Sequence, residues 1–254
     1  MIEKQMKIGI ISLFPEMFSS TIKFGIIHKA IKKRFLKLYF YDLKSQVDTY
    51  RKSIDDRPYG GGYGTIVMAS PVIRSIYSAK KKLGKNSKVL YLSPQGKILD
   101  QNSIRKFLKE EVLLLVCGRY RGIDERIIEN EIHEEWSIGN YILSCGEFAA
   151  MVILDAIARL IPGVTNCYKS TEKDSFSKGL LDHPHYTRPK TIGGLDIPSV
   201  LLSGNHKKIE IWREKQSLGQ TWLKRPELLK KIHLTQRQRY LLNLFQKEYK
   251  RKSR

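Results

Sequence analysis

Three short turns, each following an apolar stretch, carry the groups in this sequence best suited to hold a small ligand. Leu92-Ser93-Pro94-Gln95-Gly96 follows Lys88–Tyr91, and Cys117-Gly118-Arg119-Tyr120-Arg121-Gly122 follows Val112–Val116. Ile138-Gly139-Asn140-Tyr141-Ile142-Leu143-Ser144-Cys145-Gly146 follows Glu135–Ser137. In open α/β sheets, ligands bind beyond the carboxyl ends of the strands, where such turns gather. Glycine lets backbone approach a ligand closely, and rigid N–H and C=O groups can read an adenine edge. The turns lack Gly-x-Gly-x-x-Gly spacing, which disfavours a dinucleotide fold. Ordinary βα turns also tolerate Gly and Pro, so the pattern by itself leaves both readings open.

Other chemistry-bearing residues point less far. Tyr59-Gly60-Gly61-Gly62-Tyr63-Gly64 is not followed by Gly-Lys-Ser/Thr, so it is no Walker A loop. It reads either as a mobile glycine loop beside a site or as a plain turn. His133-Glu134-Glu135 lacks the second His of a zincin helix, and His183-Pro184-His185 has no third ligand evident nearby. No metal site is therefore expected. Cys117, Cys145 and Cys167 are odd in number and form no Cys-x-x-Cys pair, which reads as reduced thiols of a cytoplasmic protein.

The elements that must position these turns follow from periodicity. Lys7–Phe14 and Leu36–Tyr41 read as strands, with Met17–Arg34 helical between them and broken near Gly25. Asp42–Gly64 reads as a long loop. Pro71–Leu83 is an amphipathic helix. Strand Lys88–Leu92, helix Asp100–Lys109, strand Val112–Val116 and helix Asp124–Glu131 follow, and Glu147–Leu160 is a strong helix. This alternation implies an α/β fold with a mostly parallel sheet. Composition changes at Ile161-Pro162-Gly163, giving three parts: a domain over 1–162, a linker over 163–178, and a small, mainly helical domain over 179–254. The last contains helices at Ser203–Gln216, Pro226–Ile232 and Thr235–Lys250, with Ser203 and Thr235 as N-caps. It ends in a frayed basic tail.

Charge narrows the partner. The chain of 254 residues carries 46 Lys and Arg against 25 Asp and Glu, a net +21. Residues 169–254 hold 20 of those cations and 8 of the anions, an excess of 12 in the last third. Such density favours an anionic partner, most often nucleic acid. No apolar run approaches the roughly 20 residues that span a membrane, and the N-terminus lacks a signal-peptide layout.

At the turns, and in longer strings elsewhere, the chain resembles the bacterial tRNA (guanine-N1)-methyltransferases of the TrmD family, members of the knotted SPOUT methyltransferases. The strings are DDRPYGGG (Asp55–Gly62), YLSPQG (Tyr91–Gly96), EEWSIGNYILS (Glu134–Ser144), IPGV (Ile161–Val164), DSF (Asp174–Phe176), GLLDHPHYTRP (Gly179–Pro189) and LLSGNH (Leu201–His206). The resemblance runs in order from Gly9–Phe18 to Trp222–Leu228.

This resemblance implies a SPOUT-type parallel sheet with a deep trefoil knot in the N-terminal domain, a rare exception to normal chain topology. It implies that Pro94, Gly96, Gly118, Ile138, Gly139, Asn140, Tyr141, Ile142, Leu143 and Gly146 hold S-adenosylmethionine in a bent shape. It further implies a homodimer with shared active sites and a basic C-terminal domain gripping the tRNA anticodon stem-loop. The target is N1 of the guanosine at tRNA position 37, just 3′ of the anticodon. That N1 carries a proton, so methyl transfer needs a base. Asp174 matches the family's proposed base. Arg159 matches the arginine that stabilises negative charge developing on guanine O6, as an oxyanion hole does. The alternatives are a ribose 2′-O-methyltransferase of the same superfamily and a non-catalytic RNA-binding relative.

The chain departs from the family pattern at four positions. Arg121 stands where Glu is usual, Cys145 where Gly is common, Asn140 for Asp, and Tyr63 for a small residue or Pro. Arg121 reverses a charge beside the cofactor's methionine end. The family's Mg²⁺ requirement is left open, with no ligand set visible in the sequence.

Overall fold

The computed structural model describes residues 5–47, 53–165 and 174–252. The chain forms two compact units, Met1–Tyr168 and Lys169–Arg254.

The first unit is built on β-branched and leucine-rich strands. β1 (Met6–Ser12) is buried along almost its whole length, as parallel strands covered on both faces must be. A 3₁₀ turn (Pro15–Phe18), α1 (Ser19–Lys23) and α2 (Gly25–Lys32) follow. The expected interruption falls at extended Phe24, with Gly25 at φ +71. β2 (Leu36–Asp42) comes next, then a 3₁₀ turn (Leu43–Gln46). The anticipated long loop is partly structured: β3 (Asp55–Asp56) pairs antiparallel with β4 (Ile66–Val67). α3 (Ala69–Leu83), β5 (Lys88–Ile98), α4 (Gln101–Phe107), β6 (Val112–Cys117), α5 (Glu125–Glu131), β7 (Glu134–Ser137) and α6 (Gly146–Leu160) complete the unit.

The five long strands form one parallel sheet in the order β2-β1-β6-β5-β7. Side chains alternate across it. Ile8, Ile10, Leu90, Leu113 and Leu115 join the core under α2, α4 and α6. Ile11, Val89, Leu114 and Val116 join the opposite core under α3 and α5. The result is the three-layer α/β arrangement expected from the alternation.

β5 differs from the sequence reading. It does not end at Leu92. After a register shift between Leu92 and Lys97 it pairs again with β7, Lys97 opposite Trp136 and Ile98 opposite Ser137. The first turn is therefore a bulge inside a strand, held on both sides.

In the second unit, β8 (Thr191–Ile192) and β9 (Leu195–Asp196) form a small hairpin that the sequence reading missed. Gly193 and Gly194 both take positive φ at its two-residue turn, the preferred hairpin chemistry. α7 (His206–Lys224) starts later than expected. Its N-cap is Asn205, whose Oδ1 accepts from the Lys208 amide, whereas Ser203 closes a preceding 3₁₀ turn. α8 (Pro226–Leu229) and α9 (Gln236–Lys252) follow. Thr235 does cap α9: its Oγ1 accepts from the Gln238 amide, and Gln238 Oε1 accepts from the Thr235 amide. α9 runs on through Lys252, so Lys250 and Arg251 are helical rather than frayed. Ile209, Leu218, Leu241 and Phe245 bury the seam between α7 and α9, where a Cβ on Gly219 would lie 2.3 Å from the Phe245 ring.

Candidate active site

The backbone ties the three turns into one wall. The first and third are neighbours because β5 pairs again with β7 beyond the bulge, Ile98 opposite Ser137, and just past β5 the Leu99 amide donates to Ser137 O at 2.8 Å. The second and third meet where Arg119 bridges Cys145 and the Gly146 amide donates to Gly118 O at 2.8 Å. Glycine permits both approaches. A Cβ on Gly146 would sit 2.8 Å from the Gly118 amide nitrogen, and one on Gly96 would sit 2.3 Å from that of Trp136.

Between the turns lies a cleft of about 310 Å³, at the lower end of the range of small-ligand sites. Of the ten positions expected to hold a cofactor, all but Gly96 and Asn140 line it. Gly96 instead serves the close crossing of β5 and β7. The loop from Ile138 to Leu143 is set by its own contacts: Ser137 Oγ donates to Gly139 O at 3.0 Å, and the Tyr141 amide donates to the same oxygen at 3.0 Å. It leaves Tyr141 and Ile142 exposed to whatever enters.

Several other residues line the cleft. Tyr91 packs under Gly118, its hydroxyl 2.7 Å from where a Cβ would be. Burial, with the nearby Glu135 charge, pushes its phenol up to about 12, so it stays neutral. Tyr120 holds a left-handed backbone at φ +58, a conformation non-glycine residues seldom adopt outside constrained turns. Arg119 lays its guanidinium over the Phe14 ring, 4.4 Å from the centroid. Trp136 is buried edge-on to Phe107, its indole N–H donating to Glu134 at 2.9 Å. Glu135, also in the cleft wall, keeps a buried Oε1 with no hydrogen-bond partner.

The departures from the family pattern are placed as follows. Arg121 is strapped to the glycine loop: Nη1 donates to Tyr63 O at 2.6 Å and the amide donates to Thr65 O at 3.0 Å. Tyr59 and Tyr63 stand fully exposed on that loop. Cys117 and Cys145 are free and buried, their thiols held protonated chiefly by burial and further by the Glu147 charge; Cys167 lies outside the described residues. Glu147 itself is fully buried and accepts from Ser12 Oγ at 2.7 Å.

Arg159 lies exposed in the last turn of α6. Asp174 belongs to the second unit, where it opens a turn closed by the Ser177 amide donating to Asp174 O at 3.1 Å. Phe176 in that turn takes φ +70 beneath the Arg225 guanidinium. Of the linker expected at 163–178, residues 166–173 lie outside the described residues.

A backbone-lined cleft with apolar walls suits the adenosine of S-adenosylmethionine, and the orphaned Glu135 oxygen suits its cationic end. For Mg²⁺ the cleft offers no grouped ligands among the described residues. No described helix is long and apolar enough to cross a membrane.

Comparison with known proteins agrees with this geometry. The family model described as tRNA (Guanine-1)-methyltransferase TrmD matches residues 6–231. A tRNA (guanine-N(1)-)-methyltransferase of Proteus mirabilis is 52% identical over 244 residues, covering 96% of this chain and 98% of the relative. Relatives of the same name from Sodalis glossinidius (51% identical; 96% of this chain and 98% of the relative) and Pseudoalteromonas atlantica (52%; 94% and 91%) are as similar. A backbone-built cleft at the carboxyl edge of a parallel sheet, and half-identical relatives matched end to end, lead to one conclusion: the chain belongs to the TrmD family of tRNA (guanine-1)-methyltransferases.

Proposed function

We propose that this enzyme methylates N1 of the guanosine at tRNA position 37, with S-adenosylmethionine as donor. The observation that carries the reading is the single cleft formed by three hydrogen-bonded turns in a chain of this family. The donor supplies a methyl group on a sulfonium. The turns fix it: glycine backbone at Gly118 and Gly146 lets Tyr91 and the second and third turns pack closely enough to build its wall, and the loop from Ile138 to Leu143 lines it. Gly96 supports the cleft by letting β5 cross β7, and Asn140 shapes the closing loop.

The proton chemistry falls to two side chains outside the turns. Asp174 takes the N1 proton as the methyl arrives, a role worth about 10²–10⁴ in rate. Arg159 stabilises the charge left on O6, and an aimed donor of this kind is worth about 10²–10³. Residues 1–162 are the catalytic domain with the family's trefoil knot, residues 163–178 the linker, and residues 179–254 the domain that grips the anticodon stem-loop. The high cation density of that last part supports the assignment.

The enzyme acts in the cytoplasm as a homodimer sharing its active sites. Support for the dimer comes from α6, whose inner face is buried while Phe148 and Val152 are half-exposed on the outer one. No step is assigned to Mg²⁺.

Labelled methyl transfer to a tRNA with guanosine 3′ of the anticodon, compared with the same tRNA carrying adenosine there, tests the whole reading. Transfer to the first alone is expected. No transfer to either would favour a non-catalytic RNA-binding protein, and transfer to both a ribose methyltransferase. Asp174→Ala should lose transfer by at least about a hundredfold while calorimetry shows unchanged donor affinity. Near-normal single-turnover transfer by that variant would sink the assignment.

A further inference from the structure

The residue before His183-Pro184-His185, Asp182, supplies the third ligand that the sequence reading passed over. Asp182, His183 and His185 each offer a ligand atom, and the three lie within 4.8 Å of one another. The Asp182 carboxylate sits between the imidazoles: Oδ1 is 3.7 Å from His183 Nε2, and Oδ2 is 2.9 Å from His185 Nε2. Two ligand atoms of a tetrahedral zinc ion, each at about 2.0–2.2 Å from the metal, lie about 3.4 Å apart. The two separations straddle that value, so small side-chain shifts close the set.

A second observation concerns the imidazole tautomer. His183 Nδ1 lies 3.0 Å from Pro184 O. A carbonyl can only accept, so Nδ1 carries the hydrogen and Nε2 presents its lone pair toward Asp182. Ligating histidines are oriented in this way, with the far ring nitrogen donating to a carbonyl. At His185 the carboxylate can likewise only accept, so Nε2 donates its hydrogen to Asp182 Oδ2, and an ion binding there displaces that proton. The surroundings hold the group in place: the Asp182 amide donates to Ser175 Oγ at 2.9 Å, the imidazole centroids lie 4.4 Å apart with their planes tilted by 44°, and Trp212 of α7 flanks His183 at 6.1 Å. His185 is largely exposed, leaving the outer side for solvent.

The geometry points to a divalent-metal site of the zinc class at Asp182, His183 and His185, with water completing the coordination. Two imidazoles and one carboxylate select zinc, cobalt or nickel over magnesium, which prefers oxygen alone. The ion would lock the 182–185 segment onto itself, since every ligand comes from that segment. This site stands apart from the methyl-transfer reading and does not depend on it.

Cobalt(II) titration of the full-length, untagged protein tests the site. A visible d–d band saturating at one ion per chain, and bleached by one equivalent of zinc, is expected. His183→Ala and His185→Ala should each weaken binding at least about tenfold. A wild type without a band, or a band undiminished in both variants, would overturn the proposal. Imidazole ¹⁵N spectra of the wild type keep the test independent of variant folding. Zinc should shift the resonances of His183 and His185 and leave the other four histidines in place. Equal shifts across all six would mark adventitious binding only and refute the site.

Discussion

Tyr91 shows how one side chain couples the cleft to stability. Its phenol is raised to about 12, with burial the main cause, against about 10 in an unfolded chain. The folded state therefore holds this proton more tightly. The associated stability is complete below about pH 10 and is lost as pH rises toward 12, on the order of 2 kcal/mol in all. Tyr91→Phe should flatten the alkaline limb of a urea-unfolding series between those pH values and leave the neutral range little changed. An unchanged alkaline limb would show that Tyr91 does not bear this shift. The sequence displayed the glycines that make the cleft, because Gly118 and Gly146 announce close approach wherever they stand. It hid Tyr91, Trp136 and Glu135, because inside a strand only the register decides whether a side chain faces core or cleft. Asp174 and Arg159 are proposed solely through family resemblance: a polar turn and a helix-ending arginine look the same whether or not they do chemistry.

At the level of elements, local rules read well wherever a cap or a period was strong. Asp100 caps α4, accepting from the Ser103 amide at 2.8 Å, and hydrogen bonds from Ser103 and neighbouring amides outweigh burial to hold its carboxyl below the usual range. Thr235 caps α9 through a reciprocal pair with Gln238. Thr235→Ala should cost about 1 kcal/mol, measured as a lower midpoint in urea; no change would mean that α9 is held by its seam with α7 alone. Local rules failed where two elements had to be weighed together. The bulge in β5 depends on Gly96 reaching β7 across the chain, which no window of residues contains. The hairpin at 191–196 has strands of two residues, too short for alternation to register, although Gly193-Gly194 marked its turn.

At the scale of the whole molecule, the +21 charge makes tRNA binding a counterion-release problem. The logarithm of affinity should fall linearly with the logarithm of salt, so that affinity drops by a factor of about 10³–10⁵ between 50 and 200 mM if six to ten phosphates are neutralised. Filter binding across that range checks the slope, and a flat response would exclude the proposed basic grip. α6 spans several of these functions at once. Its first residue, Gly146, is fixed in the cleft wall; Phe148 and Val152 form the proposed subunit face; Arg159 ends it. A 15-residue helix of this kind is a single rod about 20 Å long. The proposed cofactor site, subunit contact and catalytic cation are thus mounted on one mechanical part. By thermodynamic reciprocity, whatever factor the donor adds to subunit association, association must return to donor affinity.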